Sequence, residues 1–140
     1  MLFENIEVRN GHGLTLGSDC SGSAKNITWR HIHMNGNGPT CTDASGVHTC
    51  GNGKGRGAGP GGPHWKTGRG RGGTWEDIMW DDIYGDTVMN AISFSGGNYI
   101  GAPPTNMTAT PKIINVTVQN LRLTNVTTDS IHSRAGLRWL

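Results

Sequence analysis

No apolar stretch of this 140-residue chain approaches the roughly 20 residues that a membrane-spanning helix needs, so no membrane partner is expected. No segment sustains apolar residues at i, i+3 and i+4 for three turns either, which argues against helical structure. Acidic residues are missing from a long middle stretch. None falls between Asp43 and Glu76, whereas Lys54, Arg56, Lys66, Arg69 and Arg71 all do. Any partner of that stretch is expected to be anionic. The formal net charge of +2 is too small to name nucleic acid or a membrane surface by itself. Cysteine is scarce and odd in number, with Cys20, Cys41 and Cys50. In an oxidised protein Cys41 and Cys50 can close a small loop and leave Cys20 over; buried free thiols fit the composition equally well. The start, Met1-Leu2-Phe3-Glu4-Asn5, has neither the basic residues nor the apolar core of a secretory leader. The residues alone therefore suggest either an intracellular protein or a true N-terminus that is missing.

What the chain does have is a short recurring phrase. It reads Asn5-Ile6-Glu7-Val8-Arg9-Asn10, then Asn26-Ile27-Thr28-Trp29-Arg30-His31-Ile32. It returns as Asp77-Ile78-Met79-Trp80-Asp81-Asp82-Ile83 and as Asn115-Val116-Thr117-Val118-Gln119-Asn120-Leu121. Alternation at period two is a strand signature, with Ile6/Val8, Ile27/Trp29, Ile78/Trp80 and Val116/Val118 facing inward. Successive copies are 21, 51 and 38 residues apart. These steps fit one turn, two turns with an insertion, and two turns of a solenoid whose rung is roughly 20–25 residues. The expected fold class is therefore all-β, a parallel β-helix in which stacked rungs share one core. Asparagines at the ends of the phrase suit its corners, where an amide tolerates left-handed backbone and can bond to the next rung. An ordinary β-sandwich fits less well, because the spacings are long and two-residue hairpin turns are scarce.

Two stretches break the rhythm. Residues 41–73 include Gly51-Asn52-Gly53-Lys54-Gly55-Arg56-Gly57 and Gly59-Pro60-Gly61-Gly62-Pro63, a composition that predicts a Gly-rich surface loop inserted in the series. Gly101-Ala102-Pro103-Pro104-Thr105 predicts a second loop.

The segment Asn10-Gly11-His12-Gly13-Leu14-Thr15-Leu16-Gly17-Ser18 resembles the Gly-His-Gly segment of family 28 glycoside hydrolases, the polygalacturonases and their relatives. It is followed, as in that family, by an Asn-Ile-Thr strand at Asn26-Ile27-Thr28. His64-Trp65-Lys66-Thr67, with the glycine-rich turn Gly68-Arg69-Gly70-Arg71-Gly72-Gly73, is similar to the family's Arg-Ile-Lys segment. Gly97-Asn98-Tyr99 is similar to its aromatic ending. The order agrees over roughly residues 3–127. Each motif alone is weak, and together, in order and on a repeat, they are specific.

The resemblance implies a right-handed, pectin-lyase-like β-helix. Residues 1–140 would be the C-terminal portion of one such domain. It implies a secreted, extracellular protein and an acidic polysaccharide partner, homogalacturonan or a related pectin. The activity implied is inverting hydrolysis of α-1,4-galacturonan, with no cofactor. Inversion needs two carboxyls about 6.5–9.5 Å apart. The family carries them in Asn-Thr-Asp and Asp-Asp segments that precede Gly-His-Gly, and this sequence begins too close to His12 to contain them. The isolated chain is therefore expected to be inactive, and a non-catalytic protein holding an acidic polysaccharide is the alternative. His12 takes the place beside the acid, as the catalytic residue present. Lys66 takes the place that pairs with a uronate carboxylate. His64 stands where the family has Arg, keeping a donor but losing the permanent charge and the bidentate fork. Tyr99 would contact a sugar.

Other features have plainer readings. Asp81-Asp82 lies inside the strand phrase and is expected to be a solvated pair with a turn residue. Sequons start at Asn26, Asn106, Asn115 and Asn125, of which Asn26 and Asn115 also fall at repeat corners. His31-Ile32-His33 and Cys41/His48/Cys50 lack a second half at zinc spacing, so no metal is expected. Only Gly70-Arg71-Gly72-Gly73 has the form of an RNA-binding Arg/Gly segment, so no nucleic-acid partner is expected. A monomer is expected, although an uncapped end rung would offer neighbours a pairing template.

Overall fold

A computed structural model describes residues 1–9, 11–17, 22–36, 60–68, 70, 72–95, 109, 111–126 and 131–134. Among these the chain is all-β, with eight strands and no helix. The strands are β1 (Leu2–Val8), β2 (Thr15–Leu16), β3 (Ala24–Asn35), β4 (His64–Lys66), β5 (Thr74–Asp86), β6 (Ile92–Ser95), β7 (Lys112–Thr124) and β8 (Ile131–Arg134). Odd and even strands part into two four-stranded sheets, β1-β3-β5-β7 and β2-β4-β6-β8, and every pairing is parallel.

The long strands carry the phrase twice. In β3 it reads Asn26-Ile27-Thr28-Trp29 and, five residues on, His31-Ile32-His33-Met34; β5 and β7 repeat the arrangement from Asp77 and Asp82 and from Asn115 and Asn120. Each first residue has left-handed backbone, with φ between +51° and +57° at Asn26, His31, Asp77, Asp82, Asn115 and Asn120. These residues stack on one another across the sheet. The expected left-handed backbone is therefore present, inside the strands and not at corners between them, and the amides do bond between strands: Asn115 Nδ2 donates to Asp77 Oδ1 at 2.6 Å and Asn120 Nδ2 to Asp81 Oδ1 at 2.8 Å.

The doubled phrase also explains two corrections. Ile6 pairs with Ile32, not Ile27, so Asn5 shares a column with His31 and the first step is 26 residues. The steps of 51 and 38 residues, from Ile27 to Ile78 and from Ile78 to Val116, each join adjacent strands. They are single steps lengthened by insertions, not two turns.

Apolar side chains fill the space between the sheets. Phe3, Trp29 and Trp80 stack in one column with ring centroids 5.3 and 5.1 Å apart. Trp65 of β4 meets Trp75 and Trp80 edge-on at 5.3 and 6.1 Å, joining the second sheet to the first. The column Ile6–Ile32–Ile83–Leu121 is fully closed at its two middle members, whereas Ile6 is 36% exposed on the edge strand.

Candidate functional site

Gly11-His12-Gly13 forms a tight turn ahead of β2. Thr15 closes it, its N–H donating to the Gly13 carbonyl at 3.0 Å and its hydroxyl to the His12 carbonyl at 2.9 Å. Gly13 has φ +73°, and an added Cβ would stand 1.5 Å from the Gly61 carbonyl oxygen. Only hydrogen fits there. The turn leaves the His12 side chain exposed.

The Gly/Pro segment 60–63 runs directly alongside. Gly61 N–H donates to the Gly11 carbonyl at 3.3 Å, Gly62 N–H to the Asn90 carbonyl at 2.9 Å, and Met89 N–H to the Pro60 carbonyl at 2.9 Å. These bonds extend the β2-β4-β6 pairing, so residues 11–17, 60–67 and 89–95 are three neighbouring layers. The surface loop expected over 41–73 takes a different form where it is described: residues 60–67 are all buried, and β4 lies among them. Glycine lowers the apolar content of a segment, but it also allows the closest approach of two backbones. Composition cannot separate these two uses. Residues 41–59, 69 and 71 of that stretch lie outside the described residues, as do the loop at 101–105, the three cysteines and Asn106.

His64 and Lys66 flank Trp65, and strand alternation sends them to the face opposite that buried tryptophan. Both are themselves buried, 7% and 8% exposed. Thr15 sits opposite His64 in the register, with its Oγ1 3.5 Å from His64 Nδ1. Gly17, at φ +102°, packs against the next strand so tightly that a Cβ would lie 1.7 Å from the Lys66 carbonyl oxygen. His12 titrates below the ordinary imidazole value, first because its ring is partly desolvated and second because of the Lys66 positive charge. Three of the expected site residues, His12, His64 and Lys66, thus meet in one patch. Tyr99 lies outside the described residues.

Sequence reasoning assigned no role to Thr15, Asn90 or Ser93. Thr15 links the His12 turn to His64, and buried Ser93 shares their column. Asn90 is buried beside Gly61, its Oδ1 3.2 Å from where a Cβ would stand. The only signal for them is strand register, which the sequence does not print.

The patch combines an exposed imidazole held toward its neutral form with a buried ammonium whose field reaches it. That arrangement attracts an anion and can hydrogen-bond it. Among the described residues, no group of three or more His, Cys, Asp or Glu is placed to hold a metal. Asp81 and Asp82 belong elsewhere. Asp82 has left-handed backbone, accepts from His31 Nδ1 at 2.7 Å and pairs with Arg122. Both carboxyls titrate below the usual range. For Asp82 the His31 bond is the main cause, and for Asp81 the amides of Asn120 and Gln119. Instead of a solvated face and a turn, both lie half-buried within β5 and hydrogen-bonded, on the sheet that does not contain β2. Comparison of the chain with family models, curated proteins and solved structures finds no match.

Proposed function

We propose that the chain is part of a right-handed parallel β-helix of the polygalacturonase type and that the His12/Lys66 patch holds an acidic polysaccharide of the pectin class. The observation that carries the reading is the stacking of motif segments far apart in sequence. Those at 11–17 and 64–67 lie on neighbouring strands of one sheet, β2 and β4, in the order the resemblance requires. Four strands in each of two parallel sheets, visited alternately, also suit a solenoid better than a sandwich, whose sheets are antiparallel.

In this reading a uronate carboxylate approaches exposed His12 within the field of Lys66. Burial strengthens that field, because little water stands between the ammonium and the anion. His64 adds a hydrogen-bonding ring with no permanent charge. Hydrolysis by inversion would need two carboxyls, one protonating the leaving oxygen and one activating water. The sequence has no Asn-Thr-Asp segment, and in its single Asp-Asp, Asp82 is ion-paired and Asp81 is hydrogen-bonded by amides. Binding without cutting is therefore the activity we assign to these 140 residues, and as a secreted protein it would act on cell-wall pectin.

Oligogalacturonate titrated calorimetrically into the chain is expected to bind, and Lys66→Ala to weaken it about 10- to 100-fold, the range for a hydrogen bond to a charged group. A neutral oligosaccharide of equal length should change little. Equal losses for the two ligands would sink the carboxylate-pairing role. Reducing-end assays on polygalacturonate should show no release, and robust release would refute the assignment of binding alone.

The pH dependence has a definite sign. Protonation of His12 adds positive charge beside Lys66, so affinity should rise as pH falls from 7 through the lowered His12 value, below 6.5. His12→Gln should flatten that rise. A steep rise that persists in His12→Gln would place the titrating group elsewhere.

A further inference from the structure

We propose that the layer of residues 89–95 forms a second sugar position beside the His12/Lys66 patch, where Asn90 and Ser93 hydrogen-bond the hydroxyls of the next unit of the polysaccharide. This rests on the reading of His12 and Lys66 as a uronate-binding patch and extends it by one layer. The site then takes at least a disaccharide.

The placement follows from register. Thr15, His64 and Ser93 stand opposite one another on β2, β4 and β6. Counting back three residues along each segment brings His12, Gly61 and Asn90 into one row. The surroundings of Gly61 agree with that count. The point where its Cβ would stand is 2.9 Å from the His12 carbonyl oxygen and 3.2 Å from Asn90 Oδ1. The Asn90 amide therefore leans across a residue that has no side chain, toward the turn that carries His12.

A ligand would explain the polar groups of that layer. Asn90 and Ser93 are each 5% exposed. The Ser93 N–H donates to the Pro63 carbonyl at 2.9 Å, as strand pairing requires. Among the described residues, however, neither the Asn90 amide nor the Ser93 hydroxyl has a hydrogen-bond partner. Buried polar groups are nearly always matched, and an unmatched one calls for a cause. Here two of them stand three residues apart, in the rows that begin at His12 and Thr15. One bound molecule supplies the partners that both lack.

Their chemistry indicates the kind of molecule. An amide and a hydroxyl both donate and accept, as sugar hydroxyls do. Neither carries charge, so the second position reads hydroxyls, whereas Lys66 attracts the carboxylate at the first. The spacing calls for a second unit. His12 and Asn90 are two strand spacings apart, about 9–10 Å at 4.7–4.9 Å each, more than one pyranose ring spans.

Titration of galacturonate and of digalacturonate into the 140-residue chain tests the proposal. Digalacturonate should bind more tightly than the monosaccharide. Asn90→Ala should weaken digalacturonate binding about three- to tenfold, the range for a neutral hydrogen bond, and leave galacturonate unchanged. Ser93→Ala is the gentler truncation and should act the same way, so a failure of Asn90→Ala to fold does not remove the test. A merely structural role would lower the binding of both ligands equally, and that result would overturn the proposal. So would equal affinity of the unaltered chain for one unit and for two, or digalacturonate binding that neither substitution changes. If Lys66→Ala still weakens galacturonate binding in those cases, the uronate-binding patch stands and only the second position falls. Absence of binding by either ligand to the unaltered chain sinks both.

Discussion

Trp80→Ala is expected to lose about 3–5 kcal/mol of stability, the usual cost of removing a buried aromatic side chain and leaving a cavity. For a small domain that is a large share of the total. Trp80 is 1% exposed and touches two other aromatic rings: it stacks on Trp29 at 5.1 Å and meets Trp65 edge-on at 6.1 Å. It is thus the point at which the two sheets share their core. The indole N–H of Trp80 is buried and has no hydrogen-bond partner, so it contributes no bond to lose. Trp80→Phe should accordingly cost far less than Trp80→Ala, because most of the apolar volume stays and an unmet donor disappears. Urea unfolding followed by circular dichroism measures both. Similar losses for Phe and Ala would mean that the indole ring, and not apolar volume, is what the site requires.

The second large effect separates backbone strain from packing on the two sides of His12. Gly11 and Gly13 both have left-handed backbone, at φ +96° and +73°. A Cβ at Gly11 meets nothing within 4 Å, whereas one at Gly13 would overlap the Gly61 carbonyl. Gly11→Ala should therefore cost about 1–2 kcal/mol, the conformational term alone. Gly13→Ala must also push the 60–63 layer away, adding roughly 1–3 kcal/mol or more. Because that layer leads directly into His64 and Lys66, Gly13→Ala should also weaken oligogalacturonate binding, and Gly11→Ala should spare it. If the two substitutions cost the same, the close contact of Gly13 with Gly61 is not part of the fold in solution.

Much of the molecule was legible as sequence. Period-two alternation located the strand phrases within β1, β3, β5 and β7, because one buried face imposes it on each. The asparagines marked positions of left-handed backbone, which few side chains tolerate. The place of Asp81-Asp82 inside a strand phrase was also legible. Gly-His-Gly and the Lys66 segment were legible as motifs, and their order along the chain is the order of the strands β2 and β4 that carry them.

Three things were settled only by the tertiary structure. The first is register: each long strand carries the phrase at two positions five residues apart, so Asn5 fits Asn26 as well as His31 by sequence. Contacts across the whole strand chose Ile32 as the partner of Ile6. The second is the use of glycine at 60–63, where close approach of backbones and loop flexibility demand the same residue. The third is the company of His12. Thr15 is local to the turn, but His64, Lys66 and Ser93 are brought to the same layers by pairing between strands dozens of residues apart. Local sequence determines how a segment folds, and only the stacking of segments determines which side chains share a face.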